Sequence, residues 1–510
     1  MRKLILALLF FPLFSIGRNF SDSVPSFVKD SLDKYVNTAL QLWKIPGVSV
    51  CIVKDGKIVA MKGYGVTELG TNNKVDENTL FMIGSNSKAF TATIVALLDA
   101  EKKLSFEDKV TQWVPNFKMK DPWVTKEAII RDLLCHRLGM QTFQGDFMFF
   151  DTDLSTDDVL HKFSLMQPSY SFRSKWGYTN AAFLMAGLAS GNAAHSTWQD
   201  LVRTRIFQPL GMTRSLALSS EITSATNKAT AHSVVHGEIV KIPYGQLDNL
   251  APAGAISSSV NDMSKWVMMQ LNNGKFDGKT VIPASAIQQT RVPQSILGDA
   301  NHLYNGGHFA LYGMGWFLEE YGGKKIVSHT GGVNGFVTSV TLIPEEKLGI
   351  VVLTNTDQNS FYEALKWEIM DAYLGFPYRN YSSVYHGFAD RQTKAEEDIE
   401  KKKHDTISMH PATALPLSAY TGEFENDIYG GLKITVEGDH LRAAFQHHVM
   451  TGKLEALGGN RFFCTYSNPT WGTSTIPFTV TNGAVESVTI KVADFVDYIP
   501  YEFKKKKAGK

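Results

Sequence analysis

Cysteine is scarce in this sequence of 510 residues, and a surplus of charge of either sign is absent. The three cysteines, Cys51, Cys135 and Cys464, are far apart and lack the spacing of metal ligands. We expect the first two to be buried small side chains. A disulfide between Cys51 and Cys135 is the alternative. The formal net charge is +1, and the run Lys504–Lys507 is interpreted as a solvated tail, so we expect no nucleic-acid partner.

Long apolar runs are absent beyond the first residues of the chain. Arg2 and Lys3 precede the apolar run Leu4–Ile16, and small residues follow at Ser15–Gly17. This run is short for a membrane span and is typical of a secretory signal peptide, which we assign to residues 1–17. The sequence therefore predicts a secreted or periplasmic protein with no membrane anchor once the signal is removed.

Several motifs of common hydrolases and nucleotide-binding proteins are also missing. The chain contains no H-E-x-x-H, no G-x-S-x-G and no P-loop. These absences exclude the zinc peptidase, nucleophile-elbow and P-loop chemistries that depend on those motifs. We therefore predict neither a metal nor a cofactor.

The order of the predicted elements is strands, then many helices, then strands and a helix. An early hairpin is predicted over Val48–Gly65, with a type I′ turn at Asp55–Gly56. Helices are predicted at 24–43, 86–101, 129–135, 180–190, 198–207, 259–271 and 361–374. Later strands are predicted at 313–318, 325–329, 336–343 and 348–354. This order predicts an α+β domain over residues 18–375, with the late strands beside the early hairpin.

The composition changes after this domain. Residues 376–416 combine a charged stretch with a proline-containing stretch and are predicted to form a helical linker. Residues 417–510 contain short apolar segments separated by turn signals such as Asn482–Gly483. About eight strands fit this pattern, which predicts a small all-β barrel or sandwich.

Ser85 and Lys88 form the most informative pattern. They are three residues apart at the start of an apolar, helix-forming run, so they share a helix face. A neighbouring amine and a helix N-terminus both favour negative charge on the Ser85 oxygen. Because S-x-x-K also occurs at Ser26/Lys29 and at Ser31/Lys34, the pattern needs support from other residues.

Two later motifs supply that support. Tyr178-Thr179-Asn180 precedes a predicted helix, and His329-Thr330-Gly331-Gly332 ends a predicted strand. With Ser85 these motifs resemble the serine β-lactamase and penicillin-binding protein family, within the group of class C β-lactamases, D-alanyl-D-alanine carboxypeptidases, D-aminopeptidases and esterases. The resemblance covers about residues 28 to 375, and further matching stretches are Ile45–Val48, Leu133–Arg137 and Pro252–Gly254. It implies an antiparallel sheet flanked by helices with a helical subdomain, and residues 417–510 resemble a lipocalin-like domain.

The resemblance also implies roles for the motif residues. Ser85 would attack a carbonyl and form an acyl-enzyme, with either Tyr178 or Lys88 taking its proton. A tyrosine titrates near about 10, so a phenolate base would need its pKa lowered by Lys88 and by a nearby His329. Asn180 would hold a substrate carbonyl and orient Lys88, although a helix N-cap is the alternative interpretation.

The remaining assignments concern the oxyanion and the substrate. The backbone N–H groups of Ser85 and Gly332 would form the oxyanion hole, and Thr330 would line the substrate site. β-Lactamases of this group usually carry lysine where His329 stands, so a weaker, pH-dependent cation is expected here. We therefore expect a peptidase that cleaves amide bonds of small peptides, some with D-residues.

Several alternatives stay open. A β-lactamase or a carboxylesterase of the same fold would act on a β-lactam or an ester, and a non-catalytic penicillin-binding sensor or scaffold would retain its acyl group. For residues 417–510 we expect a role either in narrowing access to the site or in assembly of a homo-oligomer.

Overall fold

An eight-stranded antiparallel sheet forms the centre of the first domain in the computed structural model, which describes residues 24–507. The predicted signal peptide lies outside these residues. The strands of the domain are β1 (Gly47–Lys54), β2 (Lys57–Gly65), β3 (Phe81–Met82), β4 (His232–Val235), β5 (Glu238–Lys241), β6 (Ser257–Ser258), β7 (Lys275–Phe276), β8 (Lys279–Thr280), β9 (Ser295–Gly298), β10 (Ala310–Tyr312), β11 (Phe317–Tyr321), β12 (Lys324–Val333), β13 (Phe336–Ile343) and β14 (Leu348–Thr354).

The order of the central sheet is β2-β1-β14-β13-β12-β11-β10-β9, so the late strands pair beside the early hairpin as predicted. The hairpin turns at Asp55 and Gly56, whose φ angles are 52° and 74°, as a type I′ turn requires. The prediction of one strand over 313–318 is wrong. Residues 313–316 form the turn between β10 and β11, where Gly313 N donates to Trp316 O at 2.8 Å, and Phe317 and Leu318 begin β11.

Fifteen α-helices accompany the described strands. They are α1 (Leu32–Leu42), α2 (Ser87–Ala100), α3 (Val110–Trp113), α4 (Pro122–Glu127), α5 (Ile130–Leu134), α6 (Asp146–Phe149), α7 (Thr156–Leu165), α8 (Asn180–Ala193), α9 (Trp198–Val202), α10 (Gln208–Leu210), α11 (Ala251–Gly254), α12 (Val260–Leu271), α13 (Ala284–Thr290), α14 (Phe361–Leu374) and α15 (Tyr381–Ser408).

The central sheet is covered on both faces, which explains why β13 and β14 are buried along their whole length. Ile350 and Val352 pack with α1 and α14 on one face. Val351 and Leu353 belong to the core on the other face, which includes α2 and α12. Helix α2 is buried from Ser87 to Leu98, so Ser85 and Lys88 lie at the start of the central helix of the domain.

The C-terminal residues form a closed eight-stranded barrel, in which β15 pairs with β22. Its strands are β15 (Gly422–Asn426), β16 (Gly430–Glu437), β17 (His440–Phe445), β18 (Thr451–Ala456), β19 (Arg461–Tyr466), β20 (Thr473–Thr481), β21 (Ala484–Ile490) and β22 (Tyr501–Lys505). The 28-residue helix α15 connects the two domains. The predicted fold class, an α+β domain followed by a small all-β barrel, is confirmed.

The barrel is docked on the first domain through α6. The ring of Phe147 lies among aromatic side chains of the barrel, with centroid distances of 4.8 to 6.3 Å to Tyr429, Phe445, His448, Trp471 and Tyr501. Asp497, in the loop before β22, accepts hydrogen bonds from the backbone N–H groups of Gly145 at 3.0 Å and of Phe147 at 3.3 Å. This contact joins the barrel to a segment that lines the candidate site.

All three cysteines lie within the described residues, and each is buried and free. Burial raises the pKa of each thiol. The structure therefore contains no Cys51–Cys135 disulfide, and the expectation of buried small side chains is confirmed.

Candidate active site

Ser85 and Lys88 lie where a 3-10 turn, Gly84–Asn86, leads into α2. The Lys88 Nζ atom lies 3.0 Å from Ser85 Oγ. Ser85 lines a cavity, whereas the Lys88 side chain is completely buried behind it. The predicted pairing of an exposed hydroxyl with a neighbouring amine is therefore present.

The remaining contacts of Lys88 indicate its protonation state. Its Nζ atom lies 2.6 Å from Asn180 Oδ1 and 2.8 Å from the carbonyl oxygen of Ala253. Together with Ser85 Oγ, these oxygens suit either an ammonium group with three N–H donors or a neutral amine with two N–H groups and a lone pair for the Ser85 hydroxyl. Burial lowers the pKa of Lys88 well below its usual value, against the opposing effect of the Asp146 charge. Burial thus favours the neutral amine, which is the form that accepts a proton from Ser85.

Tyr178 lies beside this pair. Lys88 Nζ is 4.6 Å from the centroid of the Tyr178 ring, and Tyr178 and Ser85 line the same cavity. Burial raises the pKa of Tyr178 above its usual value, even though the nearby Ser85 hydroxyl acts to lower it. A phenolate is therefore disfavoured, so the environment of Tyr178 opposes the phenolate option and suits a hydroxyl that relays a proton.

His136 packs against the ring of Tyr178. Its ring is 4.4 Å from that of Tyr178, and its Nδ1 atom lies 3.0 Å from the backbone N of Thr179. The side chain is fully buried. His136 is thus a packing residue that fixes the orientation of Tyr178.

Asn180 bridges Lys88 to a carboxyl group that sequence analysis missed. While Asn180 Oδ1 accepts from Lys88, its Nδ2 group donates to Asp146 Oδ2. Helix α8 begins at Asn180 with Thr179 at its N-cap, and neither side chain caps the helix. The alternative interpretation of Asn180 as an N-cap is therefore wrong. The one local signal for Asp146 was an acidic residue ahead of the apolar run 147–150.

His329 is buried at the wall of the cavity. Its Nε2 atom lies 3.1 Å from the Tyr312 hydroxyl, and its Nδ1 atom lies 2.6 Å from the carbonyl oxygen of Thr330. Burial and the nearby Lys88 amine lower the pKa of His329 to about 3. The ring is therefore neutral at pH 7, and the expectation of a pH-dependent cation is wrong.

Glycines allow β12 to approach the Ser85 turn. A Cβ atom on Gly331 would lie 1.9 Å from the carbonyl oxygen of Ile83, and one on Gly84 would lie 2.9 Å from the backbone N of Gly332. Gly84 also has a φ of 53°, which disfavours other residues. The backbone of Gly332 is thus brought next to the turn that carries Ser85, as an oxyanion hole formed by these two residues requires.

The cavity in front of Ser85 has a volume of about 270 Å³. It is lined by Ser85, Tyr178, Asn180, His329, Thr330, Gly331 and Gly332, and by Thr142, Phe143, Asp146, Phe150, Trp176, Phe317, Val337, Tyr362, Phe495 and Val496. All the predicted site residues except the buried Lys88 thus face one space. Phe317, Thr330 and Tyr362 also line an adjoining cavity of about 380 Å³.

Part of the wall comes from the barrel, which sequence analysis did not foresee in detail. Phe495 lies in the loop before β22, and its ring occupies the space beside Gly332 that a Cβ atom would need, 2.9 Å away. No sequence motif marks this contact, because it joins residues far apart in the chain.

Within residues 24–507 there is neither a cluster of three or more potential metal ligands nor a helix long and apolar enough to cross a membrane.

The fold and these residues define a serine hydrolase of the β-lactamase fold, and comparison with known families agrees. The family model described as Beta-lactamase matches residues 33–374, which is more than half of the chain. The chain therefore belongs to the serine β-lactamase and penicillin-binding protein family of serine hydrolases. A second model, described as a domain of unknown function, DUF3471, matches residues 408–505.

Individual relatives extend the similarity to both domains. An unguisins hydrolase of Aspergillus campestris is 30% identical over 78% of this chain and 76% of its own length. An unguisins hydrolase of Aspergillus violaceofuscus is 25% identical over 96% of this chain and 87% of its own. The structure of an octameric penicillin-binding protein homologue from Pyrococcus abyssi, 19% identical, superposes with a TM-score of 0.57 over 93% of this chain and 99% of that one. The latter similarity concerns the fold alone.

Proposed function

We propose that this protein cleaves amide bonds of small peptides through an acyl-enzyme on Ser85. The observation that carries the proposal is the position of Lys88 Nζ, 3.0 Å from Ser85 Oγ, with carbonyl oxygens as its two other partners. Lys88 accepts the Ser85 proton as Oγ attacks the substrate carbonyl. The backbone N–H groups of Ser85 and Gly332 stabilise the negative oxygen that forms.

The second half of the reaction uses the same groups. Tyr178 relays the proton from Lys88 to the leaving nitrogen, which departs as an amine. Water then attacks the acyl-enzyme and Lys88 takes a proton from it. The Ser85–acyl bond breaks to release a carboxylic acid, and Lys88 returns the proton to Ser85 Oγ. Asn180 holds Lys88 in place through the 2.6 Å contact, and His329 and Thr330 form the wall against which the substrate lies.

Amide substrates are favoured over β-lactams by the charges around the cavity. The neutral His329 gives no cation for a β-lactam carboxylate, and no lysine or arginine is among the described residues that line the cavity. The two adjoining cavities have room for more than one residue of a peptide. The relatives named as unguisins hydrolases support hydrolysis as the reaction.

We also propose that the barrel narrows access to Ser85 and that the protein acts after export from the cytoplasm. Phe495 reaches the cavity from the barrel, which supports the first role. The Arg2–Ile16 segment supports export.

A panel of nitrocefin, a p-nitrophenyl ester and D- and L-aminoacyl p-nitroanilides tests the proposed activity. We expect turnover of an anilide by the purified protein and none by Ser85→Ala. Ser220→Ala, an exposed serine outside the cavity, is the matched control and keeps the wild-type rate. Nitrocefin as the preferred substrate, or slow retention of every acyl group without turnover, would contradict the proposal.

A further inference from the structure

One carboxyl oxygen in the catalytic cavity has no partner. Asp146 is 4% exposed, and its Oδ2 atom accepts the hydrogen bond from Asn180. Its Oδ1 atom is buried without a hydrogen-bond partner in the part of the chain that the structure describes. Leaving a buried acceptor unpaired costs about 1–3 kcal/mol, so a donor from the substrate would relieve this cost.

Within residues 24–507, no cationic side chain hydrogen-bonds the free oxygen of Asp146. Asp497 of the barrel lies near enough for its charge to act on Asp146, and it is itself occupied by Gly145, Phe147 and Tyr501. Burial and the charge of Asp497 raise the pKa of Asp146 to about 8, while Asn180 and Lys88 act in the opposite direction. A cationic group in the cavity would therefore stabilise the ionised form of Asp146 and pair with it.

The rest of the cavity favours a cation over an anion. Its described lining contains no lysine or arginine, and His329 is neutral. Aromatic rings form much of the wall, and ring faces attract ammonium groups. These rings belong to Phe143, Phe150, Trp176, Tyr178, Phe317, Tyr362 and Phe495.

We propose that Asp146 Oδ1 binds the ammonium group next to the scissile carbonyl, so that the preferred substrates are amino-acid amides and peptides with a free N-terminus. Asn180 contacts both Lys88 and Asp146. A single side chain, that of Asn180, therefore separates the proposed ammonium site from Lys88, the proposed base. Ser85, Asn180 and Asp146 all line the same cavity, so an ammonium group on the carbon next to the scissile carbonyl would lie in the space that Asp146 faces. The inference rests on the proposed acyl transfer at Ser85.

The test compares the p-nitroanilides of three acids. These are alanine, which has a free amine, N-acetylalanine, whose amine is blocked, and propionic acid, which lacks the amine. We expect wild-type kcat/KM to be highest for the free amine. Asp146→Asn lowers the ratio of the alanine to the propionyl substrate about ten- to a hundredfold, since hydrogen bonds to charged groups contribute about 1.5–3 kcal/mol. The propionyl substrate normalises any general loss of activity.

Asp153→Asn is the matched control, because Asp153 lies nearby in the sequence but is exposed and pairs with His447. This variant keeps the wild-type ratio of kcat/KM for the alanine and propionyl anilides. A preference of the wild-type enzyme for the N-acetylalanine anilide overturns the proposal, even if Asp146→Asn does not fold. An equal loss of kcat/KM on the alanine and propionyl anilides in Asp146→Asn also overturns it. Failure of the amine preference while Ser85 still turns over anilides refutes this inference alone. Failure of all anilides and of Ser85 labelling refutes the proposed function as well.

Discussion

The pH dependence of acylation distinguishes the two candidate bases. A phenol titrates near about 10, so forming a phenolate at pH 7 costs about 4 kcal/mol before any effect of the fold. Because burial raises the pKa of Tyr178 further, fewer than about one molecule in a thousand carries the phenolate at pH 7. Burial acts on Lys88 in the opposite sense and favours its neutral amine. We therefore expect Lys88 to be the base.

The sign of the pH effect follows from this assignment. Lys88 accepts a proton only when it is neutral, so kcat/KM for p-nitrophenyl acetate rises with pH through the pKa of Lys88 and then levels off. Lys88→Met removes this rise and lowers the rate by about 10²- to 10⁴-fold. Tyr178→Phe keeps the rise, because the tyrosine stays protonated over the same range.

The assay is the rate of p-nitrophenolate release between about pH 4 and pH 9, with melting curves to verify that each variant is folded. Lys103→Met is the control, because this lysine is half-exposed and distant in function from the cavity. Persistence of the rise in Lys88→Met, or its disappearance in Tyr178→Phe, would refute the reasoning.

Two further variants test the walls of the site. Gly331→Ala brings a Cβ atom within 1.9 Å of the Ile83 carbonyl, so we expect a loss of about 1–3 kcal/mol in stability and a lower kcat. Gly306→Ala has open space and is its control in melting and turnover assays; equal behaviour of the two would argue against the close approach. Phe495→Ala should change stability by less than about 0.5 kcal/mol, since Phe495 is 43% exposed, but raise kcat/KM for bulky relative to small substrates. Phe309→Ala, at 62% exposure, should leave that ratio unchanged, and an unchanged ratio in Phe495→Ala would count against the barrel as a barrier.

Much of the fold could be predicted because local patterns and packing agree. The Asp55–Gly56 turn and the strand patterns of β12 to β14 specified the hairpin and its neighbours. The first part of the segment 313–318 was mistaken for a strand because residues 313–316 form a turn, where Gly315 has a φ of 73°. A run of apolar residues does not reveal such a reversal of direction.

The pairing of Ser85 with Lys88 was also accessible from sequence, since the two residues are three apart at the start of one helix. The protonation states were not, because they depend on burial by distant segments. The neutral state of His329 follows chiefly from burial of its ring by segments that are distant in the sequence. Asp146 likewise becomes part of the site only through the tertiary contact with Asn180.

The most direct test of the account is intact-protein and peptide mass spectrometry after rapid acid quenching of a reaction with alanine p-nitroanilide or its p-nitrophenyl ester analogue. The account predicts that the protein gains the mass of the acyl group, that the label maps to Ser85, and that Ser85→Ala gains none. An acyl group on another residue, or turnover by Ser85→Ala at the wild-type rate, would contradict the central claim that Ser85 is the nucleophile.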